Sequence, residues 1–85
     1  MSAIGAVDLI RERAGQPGRE PTLWRVSGYL DWSRVVAVSE EYPTLYREPG
    51  IRDVTRVTLD TGAELALSGH VSEHRTTWEL ATKAP

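Results

Sequence analysis

The chain contains no cysteine, no phenylalanine, a single methionine and no long apolar run. Without cysteine there is no disulfide and no thiolate zinc site. Small secreted domains usually depend on such staples, so their absence points to a reducing compartment, or to a fold completed by self-association or by a partner. No stretch approaches the roughly 20 apolar residues that a membrane-spanning helix needs. Residues 1–14 lack a basic leader, and Asp8 interrupts their apolar stretch, which does not fit a secretory signal. The expected setting is cytoplasmic, with no membrane contact. A surplus of one charge is missing too: 10 basic residues face 12 acidic ones, for a net charge of −2. Proteins that hold nucleic acid by its phosphates carry a basic surplus, so this balance disfavours that class. Lysine is reduced to Lys83, and the remaining basic residues are arginines, which favour planar, bidentate contacts.

At 85 residues the chain is expected to form one domain, 1–85. A chain of this size buries roughly 60–65% of its unfolded surface, which leaves a thin core and little room for a water-excluded active site. That argues for a non-enzymatic protein without a cofactor.

The expected class is α+β: an N-terminal helix, then four or five mainly antiparallel strands as a sheet or a small barrel. Ile4, Val7, Ile10 and Ala14 recur at helical spacing, which predicts a helix over 3–14, with Ser2 as cap and Gly15 as stop. Two prolines and a glycine make 16–21 a linker, and 22–82 a β-rich body. Residues 22–30 alternate, with Trp24, Val26, Gly28 and Leu30 on one face. Asp31-Trp32-Ser33 turns the chain, and the valine-rich 34–40 is a second strand. Residues 41–53 form a long connection broken by Pro43, Pro49 and Gly50. Residues 54–60 and 64–68 are strands joined at Asp60-Thr61-Gly62, where Gly62 supplies a positive φ. For 69–81 two readings compete. Val71 and Trp78 are spaced for a helix, whereas Thr76-Thr77-Trp78-Glu79-Leu80 alternates as a fifth strand, and the strand is favoured.

The run Arg56-Val57-Thr58-Leu59-Asp60-Thr61-Gly62, followed by Leu65, Leu67 and Val71, resembles the hairpin of small flagellar-operon proteins of the FlbD kind. In those a strand turns back at a glycine into a second strand and runs into a helix. Tyr29-Leu30 and Val36-Ala37-Val38 are similar to their leading strand. The resemblance covers less than half of the chain and implies the hairpin geometry alone. The outline of a helix before five strands is also similar to an SH3-like or Sm-like barrel, an analogy of architecture only.

His70-Val71-Ser72-Glu73-His74 spells the inverted zinc-protease motif, H-x-x-E-H. That chemistry needs two imidazoles on one helical face, a third ligand and a cleft. So small a chain does not supply the context, and the two histidines read as solvated side chains near a turn, with no metal expected. No serine–histidine–acid set and no phosphate-cradling glycine loop stands out.

The densest group of contact-forming side chains is Tyr42, Leu45, Tyr46, Arg47, Ile51 and Arg52, in the long connection. Tyrosine and arginine bury large area while still hydrogen-bonding, the property of interface hot spots. The same apolar residues also suit a cap over the end of the sheet. Trp24 and Trp78 are expected in the core. Trp32 is read either as core or, beside Arg34, as a partner contact, and is grouped with the candidate site. The expected function is a small protein-binding or regulatory module, of the kind accessory or phage-encoded proteins provide. The alternatives are a self-assembling structural subunit and a nucleic-acid-binding small barrel using Arg25, Arg47, Arg52 and Arg56.

Overall fold

The computed structural model describes residues 3–13, 22–41, 51 and 53–83. Five strands precede one helix: β1 (Ile4–Arg13), β2 (Thr22–Asp31), a 3-10 turn (Trp32–Arg34), β3 (Val35–Glu41), β4 (Val54–Leu59), β5 (Glu64–Ser68) and α1 (Val71–Thr82). The strands form one antiparallel open sheet in the order β2-β1-β5-β4-β3. The α+β class stands, but the helix is C-terminal and the sheet does not close into a barrel.

Two expectations are therefore corrected. The predicted helix 3–14 is strand β1. The three-residue recurrence of Ile4, Val7 and Ile10 is real, but it coexists with a period of two. Val7 and Leu9 pack in the core beneath α1, while Ile10 packs on the opposite face with Ile51 and Val54. Ten consecutive pairings with β2, from Ile4↔Asp31 to Arg13↔Thr22, decide in favour of the strand. The predicted linker 16–21 lies outside the described residues.

The favoured fifth strand at 69–81 is instead helix α1. Gly69 turns the chain at φ +118, and the Nδ1 of His70 accepts the backbone N–H of Ser72 as an N-cap. Glu73 sits in the first turn, where the helix dipole favours a negative charge. The threonines that looked β-prone satisfy their hydroxyls inside the helix. The Oγ1 atoms of Thr76, Thr77 and Thr82 donate to the carbonyls of Ser72, Glu73 and Trp78. Val71, Trp78 and Ala81 recur along one side and pack onto the sheet.

The sheet consists of two ribbons. β1 and β2 form one, β3, β4 and β5 the other, and the register joining them is Leu9↔Leu67. The main core lies between the second ribbon and α1: Val35, Val38, Val57, Leu67 and Val71, with Val7, Leu30 and Trp32 contributed from the first ribbon and the turn. A smaller cluster of Ile10, Ile51 and Val54 covers part of the other face. Thr55, fully buried, donates its hydroxyl to the carbonyl of Gly69 at 2.9 Å, and the Gly69 N–H donates to the carbonyl of Asp53 at 3.0 Å. These bonds fix where α1 begins.

The β4–β5 hairpin follows the sequence reading. Gly62 has φ +88, and the Leu59 N–H donates to the carbonyl of Ala63 at 2.8 Å. At Gly62 an added Cβ would meet nothing within 4 Å, so the cost of a side chain there is backbone strain alone. At Gly69 the strain is joined by a Cβ placed 2.9 Å from the Nε2 of His74. Chemical denaturation is therefore expected to show Gly62→Ala losing about 1–2 kcal/mol, and Gly69→Ala losing clearly more.

Candidate functional site

β2 and β3 are the two edges of the sheet, yet only Trp32–Arg34 separates them in the chain. Across a flat sheet four strand spacings amount to about 19 Å. Three residues of 3-10 helix rise only about 6 Å. The sheet must therefore curl until its two edges approach at this corner. Trp32 fills the corner at 2% exposure. Its backbone N–H donates to the carbonyl of Ala3 at 3.0 Å, and its ring stacks on His74 of α1, with centroids 6.1 Å apart. From the other side, the Asp60 N–H donates to the carbonyl of Arg34 at 2.8 Å.

Asp31 opens the turn. Its Oδ1 accepts the N–H of Ser33 at 3.1 Å and the Ser33 hydroxyl at 2.6 Å. The hydroxyl bond first, then the backbone bond, then the charge of Arg34, hold its carboxyl below the usual carboxylate range.

The two edges are managed differently. On β3 the register slips between Val35↔Leu59 and Ala37↔Thr58, so Val36 is the extra residue of a bulge. The Nη2 of Arg75 in α1 donates to the Val38 carbonyl of the same strand at 3.3 Å. The strand ends on Glu40 and Glu41. Bulges, charges and covering side chains are how natural sheets stop an edge from recruiting another strand. β2 has no bulge, and its charges are limited to Arg25 and Asp31. Its ten residues pair with β1 without a bulge, and they include neither proline nor lysine. Among the described residues no strand pairs with its outer side.

β2 also exposes apolar side chains. Trp24 and Val26 are each 38% exposed, and Tyr29, on the opposite face, is 81% exposed. The expectation that Trp24 lies in the core is corrected: α1 packs over β3, β4 and the 3-10 turn, and Trp24 is half-exposed on the outermost strand. Trp78 does pack against the core, and its Nε1 is buried without an acceptor among the described residues.

Of the residues singled out in sequence, Trp32 and Ile51 are both buried, so each contributes packing. Tyr42, Leu45, Tyr46, Arg47 and Arg52 lie outside the described residues. Arg56 bonds both Glu41 and Glu64, which neutralises a cation that the nucleic-acid reading uses. In the H-x-x-E-H motif the two imidazoles are spent on the protein itself. Nδ1 of His70 caps α1, and Nε2 of His74 bonds the carbonyl of Ser68 at 2.9 Å. Among the described residues no group of three or more His, Asp or Glu side chains gathers as a metal site. No helix among them is long and apolar enough to cross a membrane. The β2 edge escaped the sequence reading because edge position is a property of pairing, although the unbroken alternation of 22–30 was visible. No family model matches the chain, and no curated protein or solved structure matches it either.

Large-to-small truncation of a buried tryptophan costs about 3–5 kcal/mol. A fold of 85 residues has roughly 4–13 kcal/mol in all. Trp32→Ala is therefore expected to melt far below the parent in a thermal scan, with Trp32→Phe intermediate. Because its carboxyl is held low, Asp31 stabilises the fold above the ordinary carboxylate range and stops doing so as pH falls through its folded value. The gap in melting temperature between the parent and Asp31→Ala should be full at neutral pH and shrink below about pH 4.

Proposed function

We propose that the chain is a small, non-enzymatic protein-binding module that takes up an extended segment along the outer side of β2. The observation that carries this reading is the asymmetry of the edges: β3 is bulged and covered by Arg75, whereas β2 is straight, without bulge or lysine, and flanked by Trp24, Val26 and Tyr29. Strand addition draws affinity from main-chain hydrogen bonds and specificity from alternate side chains, and β2 offers both. An aromatic on each face next to the open edge provides large contact area at low entropic cost. Tyr42, Leu45, Tyr46, Arg47 and Arg52 stand as a proposed second contact on their composition.

A lysine on the edge, pointing along the approaching strand, is the natural way to refuse it. The experiment is capture by the immobilised chain from nuclease-treated lysate, with Val26→Lys/Tyr29→Lys as control. The parent is expected to retain protein that the variant loses, with both giving the same circular dichroism spectrum. Equal retention by the variant overturns the β2 reading. Loss of the captured material on nuclease treatment transfers it to nucleic acid.

A further inference from the structure

We propose that the strand received by β2 is β2 of a second copy of this chain, in a two-fold antiparallel pairing centred on Gly28. This rests on the edge reading above and names its occupant. The ladder with β1 sorts the side chains of β2 into two faces: Arg25, Ser27, Tyr29 and Asp31 on one, Trp24, Val26, Gly28 and Leu30 on the other. Two copies related by a two-fold axis through the sheet keep their faces aligned, so each residue meets one from its own face.

Within Thr22–Asp31 there is one cation, Arg25, and one anion, Asp31, and both lie on the same face. Gly28 is midway between them. An axis there sets Arg25 of each copy opposite Asp31 of the other, and symmetry makes the pair twice. Moving the axis to Ser27 puts Arg25 opposite Tyr29, and moving it to Tyr29 puts Asp31 opposite Ser27. Either shift loses both pairs. Both Ser33 bonds fall on Oδ1 of Asp31, which leaves Oδ2 for an incoming guanidinium. No ion pair engages Arg25 among the described residues.

The same centring serves the apolar face. Val26 comes opposite Leu30 of the second copy, and Gly28 opposite its own equivalent. Leu9 already lies over Gly28, since a Cβ there would stand 3.0 Å from its Cδ1. The axis is thus roofed by Leu9 from each copy and needs no side chain of its own. The pairing joins two five-stranded sheets into one and leaves the bulged β3 edges outermost.

The absence of natural cysteine makes the register directly readable. Residues facing each other across an antiparallel pair have Cα atoms about 4.5–5.5 Å apart, inside the range a disulfide bridges. Under mild oxidation Gly28→Cys is expected to give a covalent dimer. Val26→Cys, whose two copies would stand roughly 13 Å apart, is not. Should Gly28→Cys fold poorly, mixing Ser27→Cys with Tyr29→Cys, both at exposed positions, gives the same test, with the mixed disulfide expected over either homodimer. In sedimentation the parent is expected to dimerise, and Arg25→Asp to weaken dimerisation by about tenfold through two like-charge contacts. Cross-linking at Val26→Cys in place of Gly28→Cys overturns the register. A parent that remains monomeric at millimolar concentration overturns the self-pairing. If capture sensitive to Val26→Lys/Tyr29→Lys then persists, β2 binds a different protein and the edge reading survives alone.

Discussion

The short passage from Asp31 to Val35 constrains everything around it. It joins the two outermost strands of the sheet, so the sheet has to coil, and the coil produces a corner that needs a large apolar plug. Trp32 is that plug. It meets Ala3, the residue before β1, through a backbone hydrogen bond, α1 through His74, and the core through Leu30 and Val35. The placement of α1 follows from the same geometry: the helix packs on β3, β4 and the 3-10 turn and, among the described residues, leaves the outer part of the β1–β2 ribbon uncovered. In a chain with so few large apolar residues, one tryptophan at a junction of three elements does the work that a larger core would distribute.

That arrangement leaves the two edges of the sheet differently finished. The β3 side is finished: its edge is bulged, an arginine from the helix occupies one of its carbonyls, and the salt-bridged Arg56 holds Glu41 and Glu64 across the adjoining strands. The β2 side is left regular, with Trp24, Val26 and Tyr29 exposed beside Arg25 and Asp31. On the proposed reading, stability and recognition are assigned to opposite edges. An edge of this kind requires no cavity in so thin a core.

How much of this could be read in advance depends on whether the deciding interaction was local. The β4–β5 hairpin was legible because Asp60-Thr61-Gly62 and the alternation on either side lie within a dozen residues. The alternation of β2 was legible for the same reason. β1 reads as a helix because Ile4, Val7 and Ile10 recur every three residues, whereas the period of two is carried by Val7 and Leu9 on one face and Ile10 on the other, and only pairing with β2 decides between them. α1 was misread because Thr76 and Thr77 were weighed by their strand propensity, whereas their hydroxyls bond back to the helix. The spacing of Val71 and Trp78 is the better signal, and the His70 cap is visible only in the structure. Of the candidate interface, the sequence showed the side chains but not the edge. Trp32 and Ile51 were selected for their chemistry, and the fold turns both inward.

The seam between the ribbons has a kinetic consequence. β1–β2 is a hairpin-like unit, local in sequence, and β4–β5 is another. Leu9↔Leu67, by contrast, connects residues separated by most of the chain. Its closure entropy grows only logarithmically with that separation, but it must be met before the contacts reward it, and such non-local pairings are the slow events of folding. Until the seam closes, β1 as well as β2 has a side that no described strand pairs with. The molecule passes through an interval in which β1 and β2 are at their least protected, and crowding among nascent chains is the condition under which that interval matters most.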